Sequence, residues 1–375
     1  MMRDRNLTAA ALTSGLILFG TGHPVVAQQI LESPRPASNS GYQSGYGAIP
    51  EFGGPSGVSQ QIKDNDEERP ATYRFDTLQR WLAPYFGWKQ QMQERHGFSL
   101  GINAWLLYQN VSETASGDDD GAGGIYRIQG SWSLFGRGTG HAGRLEWRIE
   151  NRSEIGGGLS PSQLGGQIAA ALNSGFGYSD NFDTDISVFN WTQNFAENRA
   201  GLAIGRLAFD AYLDAFPFQT FSRGFLNRAF LVNPTLGTTG IGALGIVGKG
   251  FVSDQFWIGG HIYDGNAASG DFDWDTFEQH EWLSAVEIGW TPSIGRYKSD
   301  RVQFTYWSKD PRVEANVPKG SGWALSASYQ VTDDFLPFFR MGHSDGGAGV
   351  AAENAASVGF DYNPRMDQAW TLGVG

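Results

Sequence analysis

From Gly97 to Gly375 the chain is a series of short segments in which apolar and polar residues alternate, joined in turn by brief connections and by long ones rich in Gly and Asp. Alternation with a period of two places successive side chains on opposite faces of a β-strand. No stretch in this part of the chain reaches the ~20 apolar residues of a membrane helix. A membrane-spanning form of the chain therefore requires a barrel. The sequence therefore predicts an all-β fold, an antiparallel transmembrane β-barrel of the outer-membrane porin type.

Residues 143 to 152 show the alternation most sharply. Leu145, Trp147 and Ile149 share one face. The opposite face is charged throughout and consists of Arg144, Glu146, Arg148, Glu150 and Arg152. Because such a face cannot be turned toward lipid, we expect it to line the interior of the barrel.

The same parity test assigns an inner face to other segments. In the first strand Trp105 opposes a row of apolar residues from Phe98 to Tyr108, and Arg301 and Trp307 oppose Val302, Phe304 and Tyr306 in a later one. Around residue 287, four apolar residues on the opposite face leave Glu287 inside. Near Gly201 the register is ambiguous, because Arg206 has the parity of Leu202 and Ile204, which indicates a bulge or a misread boundary.

The connections between segments alternate strictly in length. A short one falls near Ala196 to Ala200, and the next, from Asp210 to Ala243, is the longest of all. Since outer-membrane barrels have short periplasmic turns and longer external loops, the first strand should run outward from a periplasmic N-terminus. The loop from Asp210 to Ala243, which carries Arg223 and Arg228, is the candidate for a segment that folds inward; the alternative is an ordinary external loop.

This pattern yields about thirteen strands between residues 97 and 375, whereas bacterial single-chain barrels have even numbers of strands. The last segment begins near Gln368 and stops in mid-pattern at Gly375 without a terminal aromatic residue. We therefore expect about 16 strands in the full protein and a C-terminal truncation in this chain.

The first residues have the pattern of a signal peptide over residues 1–27. Arg3 and Arg5 precede an apolar run from Leu7 to Gly20, and small residues at 25–27 place the cleavage site before Gln28. The run is too short and too polar for a membrane anchor. The mature protein should therefore be exported, and the barrel pattern places it in the bacterial outer membrane.

Residues 28–96 form a separate N-terminal segment, expected in the periplasm. Up to residue 76 it is rich in Gly, Ser, Pro and charge, which is typical of a disordered or loosely docked region. From Thr77 to Arg95 apolar residues recur at helical spacing, although Pro84 and Gly87 should bend or split that short helix. It is interpreted as a packing helix at the periplasmic mouth or as a plug or partner-docking element.

The composition argues against several classes of function. The net charge of −12 disfavours nucleic-acid binding. No Cys, no HExxH pair and no Gly-x-Ser-x-Gly elbow occur, so neither an enzyme nor a cofactor or metal site is expected. Asp118 to Asp120 and the alternating Asp271, Asp273 and Asp275 offer Ca²⁺ ligands, but solvated loop acidity is the favoured interpretation.

Several short motifs occur in order from about residue 80 to Gly375. They are Gly205-Arg206-Leu207 with Tyr212 and Asp214, Phe225-Leu226-Asn227, Tyr263-Asp264-Gly265-Asn266-Ala267, Val286-Glu287-Ile288-Gly289-Trp290, Phe339-Arg340-Met341-Gly342 and Trp370-Thr371-Leu372-Gly373-Val374-Gly375. In order and spacing they resemble the OprB-type carbohydrate-selective porins. The resemblance implies a trimeric or monomeric channel, embedded in outer-membrane lipid and lipopolysaccharide, that passes mono- and oligosaccharides down their gradient.

Sugars offer many hydroxyl groups and flat apolar faces, so a sugar pathway should combine charged hydrogen-bonding groups with aromatic rings. The candidate pathway residues are Trp105, Glu146, Arg148, Glu150, Arg152, Arg206, Glu287, Arg301, Trp307 and Arg340. The charged residues can equally form salt bridges that hold the wall, and the two tryptophans can pack against an inward loop. The alternatives to a sugar porin are a general or anion-biased porin and a structural or adhesive barrel whose lumen is blocked by the N-terminal segment.

Overall fold

The structure is a computed structural model that describes ten ranges of the chain: 16–19, 52–66, 76–115, 117–168, 174–179, 182–220, 224–269, 275–332, 334–362 and 372–374. Most of the predicted signal peptide, residues 28–51, Arg223, Asp271 and Asp273 lie outside these ranges. The predicted leader and truncation therefore stay predictions.

A single antiparallel sheet of fourteen described strands makes up the fold, and each strand pairs with its neighbours in sequence. The strands are β1 Leu16–Phe19, β2 Phe98–Asn110, β3 Asp120–Phe135, β4 Gly143–Glu154, β5 Phe182–Phe195, β6 Ala200–Leu207, β7 Ala243–Phe251, β8 Phe256–Asp264, β9 Trp282–Trp290, β10 Arg301–Lys309, β11 Gly320–Ser328, β12 Phe335–Ser344, β13 Asn354–Tyr362 and β14 Leu372–Val374. The predicted up-and-down order is confirmed. The strands β2 to β14 equal in number the thirteen predicted between residues 97 and 375. The fourteenth strand, β1, falls within the predicted signal peptide and pairs with β2.

The strands have the two faces that the sequence predicts. In β10, Arg301, Trp307 and the other odd-numbered residues are buried, whereas Val302, Phe304 and Tyr306 are exposed. The exposed face is the apolar one. In water such a face would be unfavourable, so this sheet suits a lipid environment on its outside.

A β-bulge lies in β5, the strand that pairs with Arg206. Ser187 is an extra residue of β5, because Arg148 pairs with Val188 and the next residue of β4 pairs with Ile186. Across from this bulge, Gly205 takes a φ of +129°, where a Cβ atom would lie 2.6 Å from the carbonyl oxygen of Phe189. The pairing of β6 with β5 and with β7 is continuous from Ala200 to Arg206, so the bulge lies in β5 and not in β6 itself, and Arg206 is buried despite its outward parity.

Five helices accompany the strands in the described ranges. The helices are α1 Val58–Asp66, α2 Asp76–His96, α3 Pro161–Gly166, α4 Arg228–Leu231 and α5 Asp275–Glu278, and two 3-10 turns cover Phe209–Ala211 and Ile294–Arg296. One of the helices, α1, packs on the inner face of β2, β3 and β4. Within the described ranges, no helix is long and apolar enough to span a membrane.

The N-terminal segment differs from its sequence-based description in two respects. Residues 52–66, expected to be disordered or loosely docked, form a docked stretch ending in α1, where Val58 and Ile62 are almost completely buried. Helix α2 is continuous through Pro84 and Gly87, which were expected to bend or split it. An ion pair of 2.5 Å between Lys89 Nζ and Asp66 Oδ1 joins the two helices.

Candidate functional site

The charged face of β4 forms a ladder with the inner face of β3. Arg127 and Glu150 are directly opposed in the antiparallel register, as are Gln129 and Arg148. Arg127 Nε donates to Glu150, Arg152 Nε donates to Glu150 Oε1 at 2.7 Å, and Arg148 Nε donates to Gln129 Oε1 at 3.0 Å. We call Arg127, Arg148, Glu150 and Arg152 the arginine ladder. Arg127 was missed in the sequence, although its position between outward-facing Tyr126 and Ile128 marks it as inward-facing.

A second buried cluster surrounds Glu287, on the inner face of β9. Its Oε2 lies 2.5 Å from Lys249 Nζ and 3.0 Å from His261 Nε2, and its Oε1 accepts the hydroxyl of Thr305 at 3.1 Å. His261 and Thr305 come from β8 and β10, which pair with β9, and Lys249 comes from β7, one strand further. Glu287 is therefore inward-facing as predicted, and it is fully paired in this conformation.

The described parts of the loop from residue 208 to residue 242, which are 208–220 and 224–242, fold into the interior, as the sequence suggested, and we call this loop the inward loop. Asp214 anchors it: the carboxylate lies 2.5 Å from Arg340 Nη2 and accepts from Gln303 Nε2 at 2.8 Å and Ser326 Oγ at 2.9 Å. The backbone N–H of Asp214 donates to Glu287 Oε1 at 2.6 Å. One loop residue thus bonds to side chains of four successive strands, β9 to β12.

The remaining predicted charged residues bond along the wall or to the segment inside it. Arg206 donates to Asp185 at 2.8 Å and to the carbonyl of Ile186 at 2.7 Å. The guanidinium of Arg301 lies 5.4 Å from the centre of the Tyr297 ring, within cation–π range. Glu146 accepts the hydroxyl of Ser59, a residue of α1.

The two tryptophans predicted to line the sugar pathway, Trp105 and Trp307, are covered by other residues of the interior. Trp307 has no exposed surface, and Gly237 of the inward loop lies against its ring, where a Cβ atom would come within 2.6 Å. Trp105 is 5% exposed, with the guanidinium of Arg127 5.1 Å from its ring centre. Packing against interior elements therefore describes both tryptophans in this conformation.

A cluster of phenylalanines lies between the inward loop and β12. It consists of Phe216, Phe218, Phe225, Phe230 and Phe338, with ring centres 5.1 to 6.2 Å apart in the contacts among them. Phe225 and Phe230 are half-buried. Sequence reasoning missed this group, although the density of Phe in residues 216–230 was a usable signal.

The buried charges of the described residues are almost balanced. Those that are basic are Arg127, Arg148, Arg152, Arg206, Lys249, Arg301, Lys309 and Arg340, and those that are acidic are Glu146, Glu150, Asp214, Asp264, Glu287 and Asp300. The described residues thus include eight buried basic side chains and six buried acidic ones. Within the described ranges, no group of three metal-ligating side chains is found, the run from Asp118 to Asp120 included.

Comparison with solved structures identifies similar folds. The chain matches Pseudomonas putida OprB, in its high-pH structure, with a TM-score of 0.57 and 13% identity over 75% of this chain and 74% of that one. A triple mutant of the Rhodopseudomonas blastica porin matches with a TM-score of 0.39 and 12% identity over 71% of this chain and 80% of that one, too low to carry an argument. No protein-family model and no curated protein matches the sequence. The OprB match establishes the fold, a porin-type β-barrel, and confirms the sequence resemblance at that level.

Proposed function

We propose that this protein is a bacterial outer-membrane porin that passes mono- and oligosaccharides by diffusion. The observation that carries the proposal is the pairing of opposite charges along the inner wall, with Arg127, Arg148 and Arg152 around Glu150 on one side and Lys249 beside Glu287 on another. Paired charges present many donors and acceptors without a strong net field. That combination suits neutral, hydroxyl-rich solutes better than ions.

The fold supports the same proposal, because a barrel of this type can enclose an aqueous path through lipid. Its surroundings would be outer-membrane lipid and lipopolysaccharide, with the protein present as a homotrimer or a monomer. The exposed apolar residues of the outer face, such as Val286 and Ile288, provide the required lipid contact.

Liposome swelling tests the proposal directly. Purified protein should admit glucose and maltose faster than amino acids and organic anions of similar size. Arg148→Ala should reduce this preference for sugars, since it removes donors from the ladder, whereas Arg137→Ala, in an exposed turn, should preserve it. Equal rates for all solutes would reduce the proposal to a general porin.

A second candidate function is a structural or adhesive barrel without solute flux. It is favoured by one observation: α1 covers the inner face of β2 to β4, and the described parts of the loop 208–242 bond to the inner face of β9 to β12. Absence of swelling with every solute, in protein shown to be folded, would favour this candidate.

A further inference from the structure

Residues 52–66 cross the interior of the sheet and are held at both ends by apolar contacts. At one end the ring of Phe52 lies 5.6 Å from that of Phe251 and 5.8 Å from that of Tyr297. At the other, Val58 and Ile62 of α1 belong to the same apolar core as Trp105. We call residues 52–66 the inner segment.

The polar side of the inner segment bonds to the arginine ladder. Arg148 Nη2 donates to the carbonyl oxygen of Ser56 at 2.6 Å and to Gln61 Oε1 at 3.2 Å. Arg127 Nη1 donates to the same Gln61 oxygen at 3.3 Å. The inner segment therefore satisfies guanidinium groups that would otherwise need water or solute as acceptors.

A hydroxyl of the inner segment completes the set. Ser59 Oγ donates to Glu146 and can accept from Ser131 Oγ, which lies 3.0 Å away. Hydroxyl donors and neutral oxygen acceptors are the groups that a sugar presents. The ladder and the neighbouring Glu146 thus bind, within their own chain, the same kinds of groups that the proposed solute would present.

We propose that the inner segment is an internal ligand of the arginine ladder, and that a sugar entering the barrel displaces it by taking over its hydrogen bonds to Arg127, Arg148 and Glu146. This inference rests on the proposed function, since it assigns the sugar-binding site and its resident competitor. Flux of sugar then requires movement of the inner segment, and the ladder is never left without partners.

The local structure suits a segment that can be displaced. Helix α1 has nine residues, and helices of that length are marginal in water, so α1 depends on its docking contacts. Ahead of α1, the backbone of the inner segment is joined to the inward loop, because the N–H of Gly54 donates to the carbonyl oxygen of Ala211 at 2.5 Å. Displacement of the inner segment should therefore loosen the neighbouring part of the loop.

A reversible covalent link provides the test. The chain has no Cys, so two introduced cysteines have no native thiol with which to form another disulfide in the same chain. At Gly101 of β2, a Cβ atom would lie 3.1 Å from Ile62 Cγ1, the position that a cysteine sulfur would take. The double variant Ile62→Cys with Gly101→Cys should form a disulfide that fixes α1 to the wall.

The measurement is liposome swelling with glucose and maltose, made on the same double variant oxidised and then reduced. We expect loss of sugar-driven swelling in the oxidised protein and its recovery on reduction. Because both states are one polypeptide, a folding defect would affect both alike. In the parent background, Gln61→Ala should raise the sugar swelling rate, whereas Gln91→Ala, at an exposed site of α2, should leave it unchanged.

The contrary outcomes separate the inference from the proposed function. Equal sugar swelling in oxidised and reduced protein would overturn the displacement of the inner segment and leave the porin function standing. Swelling only after deletion of residues 52–66 would also overturn it, because the segment would then be a fixed plug. Absence of swelling in every form, the deletion included, would refute the porin function itself.

Discussion

The contact that should matter most for the inward loop is the ion pair between Asp214 and Arg340. Both side chains are buried, 0% and 2% exposed, and their closest atoms are 2.5 Å apart. Replacing Asp214 with Ala would leave the Arg340 guanidinium without its counter-ion in a dry environment. We therefore predict that Asp214→Ala releases the loop 208–242 from the wall.

The structure sets the size of this effect. Breaking a buried ion pair from one side costs about 3–5 kcal/mol. Arg340 keeps a hydrogen bond to Ser326 Oγ at 3.1 Å and one to the carbonyl oxygen of Phe230 at 3.3 Å. The free-energy cost should therefore lie at the lower end of this range. A cost of about 3 kcal/mol corresponds to a change of roughly 150-fold in the equilibrium between held and released loop.

Amide hydrogen exchange, read by mass spectrometry, measures that equilibrium locally. Protection in residues 209–215 should fall by about two powers of ten, while the strands β9 to β12 keep theirs. The matched control is Asp254→Ala, which breaks the exposed pair with Arg199 and should cost about 0–1 kcal/mol. The double variant Asp214→Ala with Arg340→Met should recover part of the loss, because it removes the unpaired charge.

Unchanged protection of the loop in Asp214→Ala would refute the anchoring role. An equal loss in Asp254→Ala would also refute it, since the effect would then not depend on burial.

Three further predictions concern the wall, the field and an external loop. Gly289→Val should lower the yield of folded barrel on heat-modifiability gels, because a Cβ atom there would lie 2.2 Å from the Trp257 ring, whereas Gly260→Val, with nothing within 4 Å, should be tolerated. In a salt gradient the reversal potential should be close to zero with a slight anion preference, given eight buried cations against six anions; a strongly cation-selective pore would contradict this. Hydrogen bonds from the backbone N–H groups of Ser321 and Gly347 lower the pKa of Asp345 below its ordinary 3.8. The ionised carboxylate therefore stabilises loop 345–353 above the ordinary pKa, and this stabilisation is lost as the pH falls through the lowered value. A nitroxide label in that loop should become mobile on acidification in the parent, and Asp345→Asn should abolish the pH dependence.

The strands could be predicted from the sequence because their signal is local. A strand with lipid on one side and polar groups on the other must alternate residue by residue, so Ser253 to Gln255 was recognisable as the turn between Phe251 and Phe256, where β7 ends and β8 begins. The same parity placed Glu287, Arg301 and Trp307 on the inner face.

The partners of these residues were less predictable. The bulge at Ser187 arises from the pairing of β5 with β4, and no feature of β5 alone marks it. Asp214 lies in a loop with a φ of +47°, and its contact with Arg340 spans 126 residues. Contacts that depend on how a loop returns into the barrel leave no periodic pattern in the sequence.

The inner segment was missed for a related reason. Its composition, rich in Gly, Ser and Gln, is typical of chain that cannot form a core of its own. Inside the barrel, however, the wall supplies the core, and only Phe52, Val58 and Ile62 are needed as apolar anchors. A disorder-like composition therefore does not separate a free tail from a segment that docks within a preformed polar interior.

The distribution of burial around the wall bears on how selectivity arises. The groups best suited to recognition of a hydroxyl-rich solute are those of the arginine ladder, and the inner segment covers Arg127 and Arg148 through its own hydrogen bonds. The proposed preference for sugars over other small solutes therefore requires that the ladder become accessible, and with it the movement of residues 52–66.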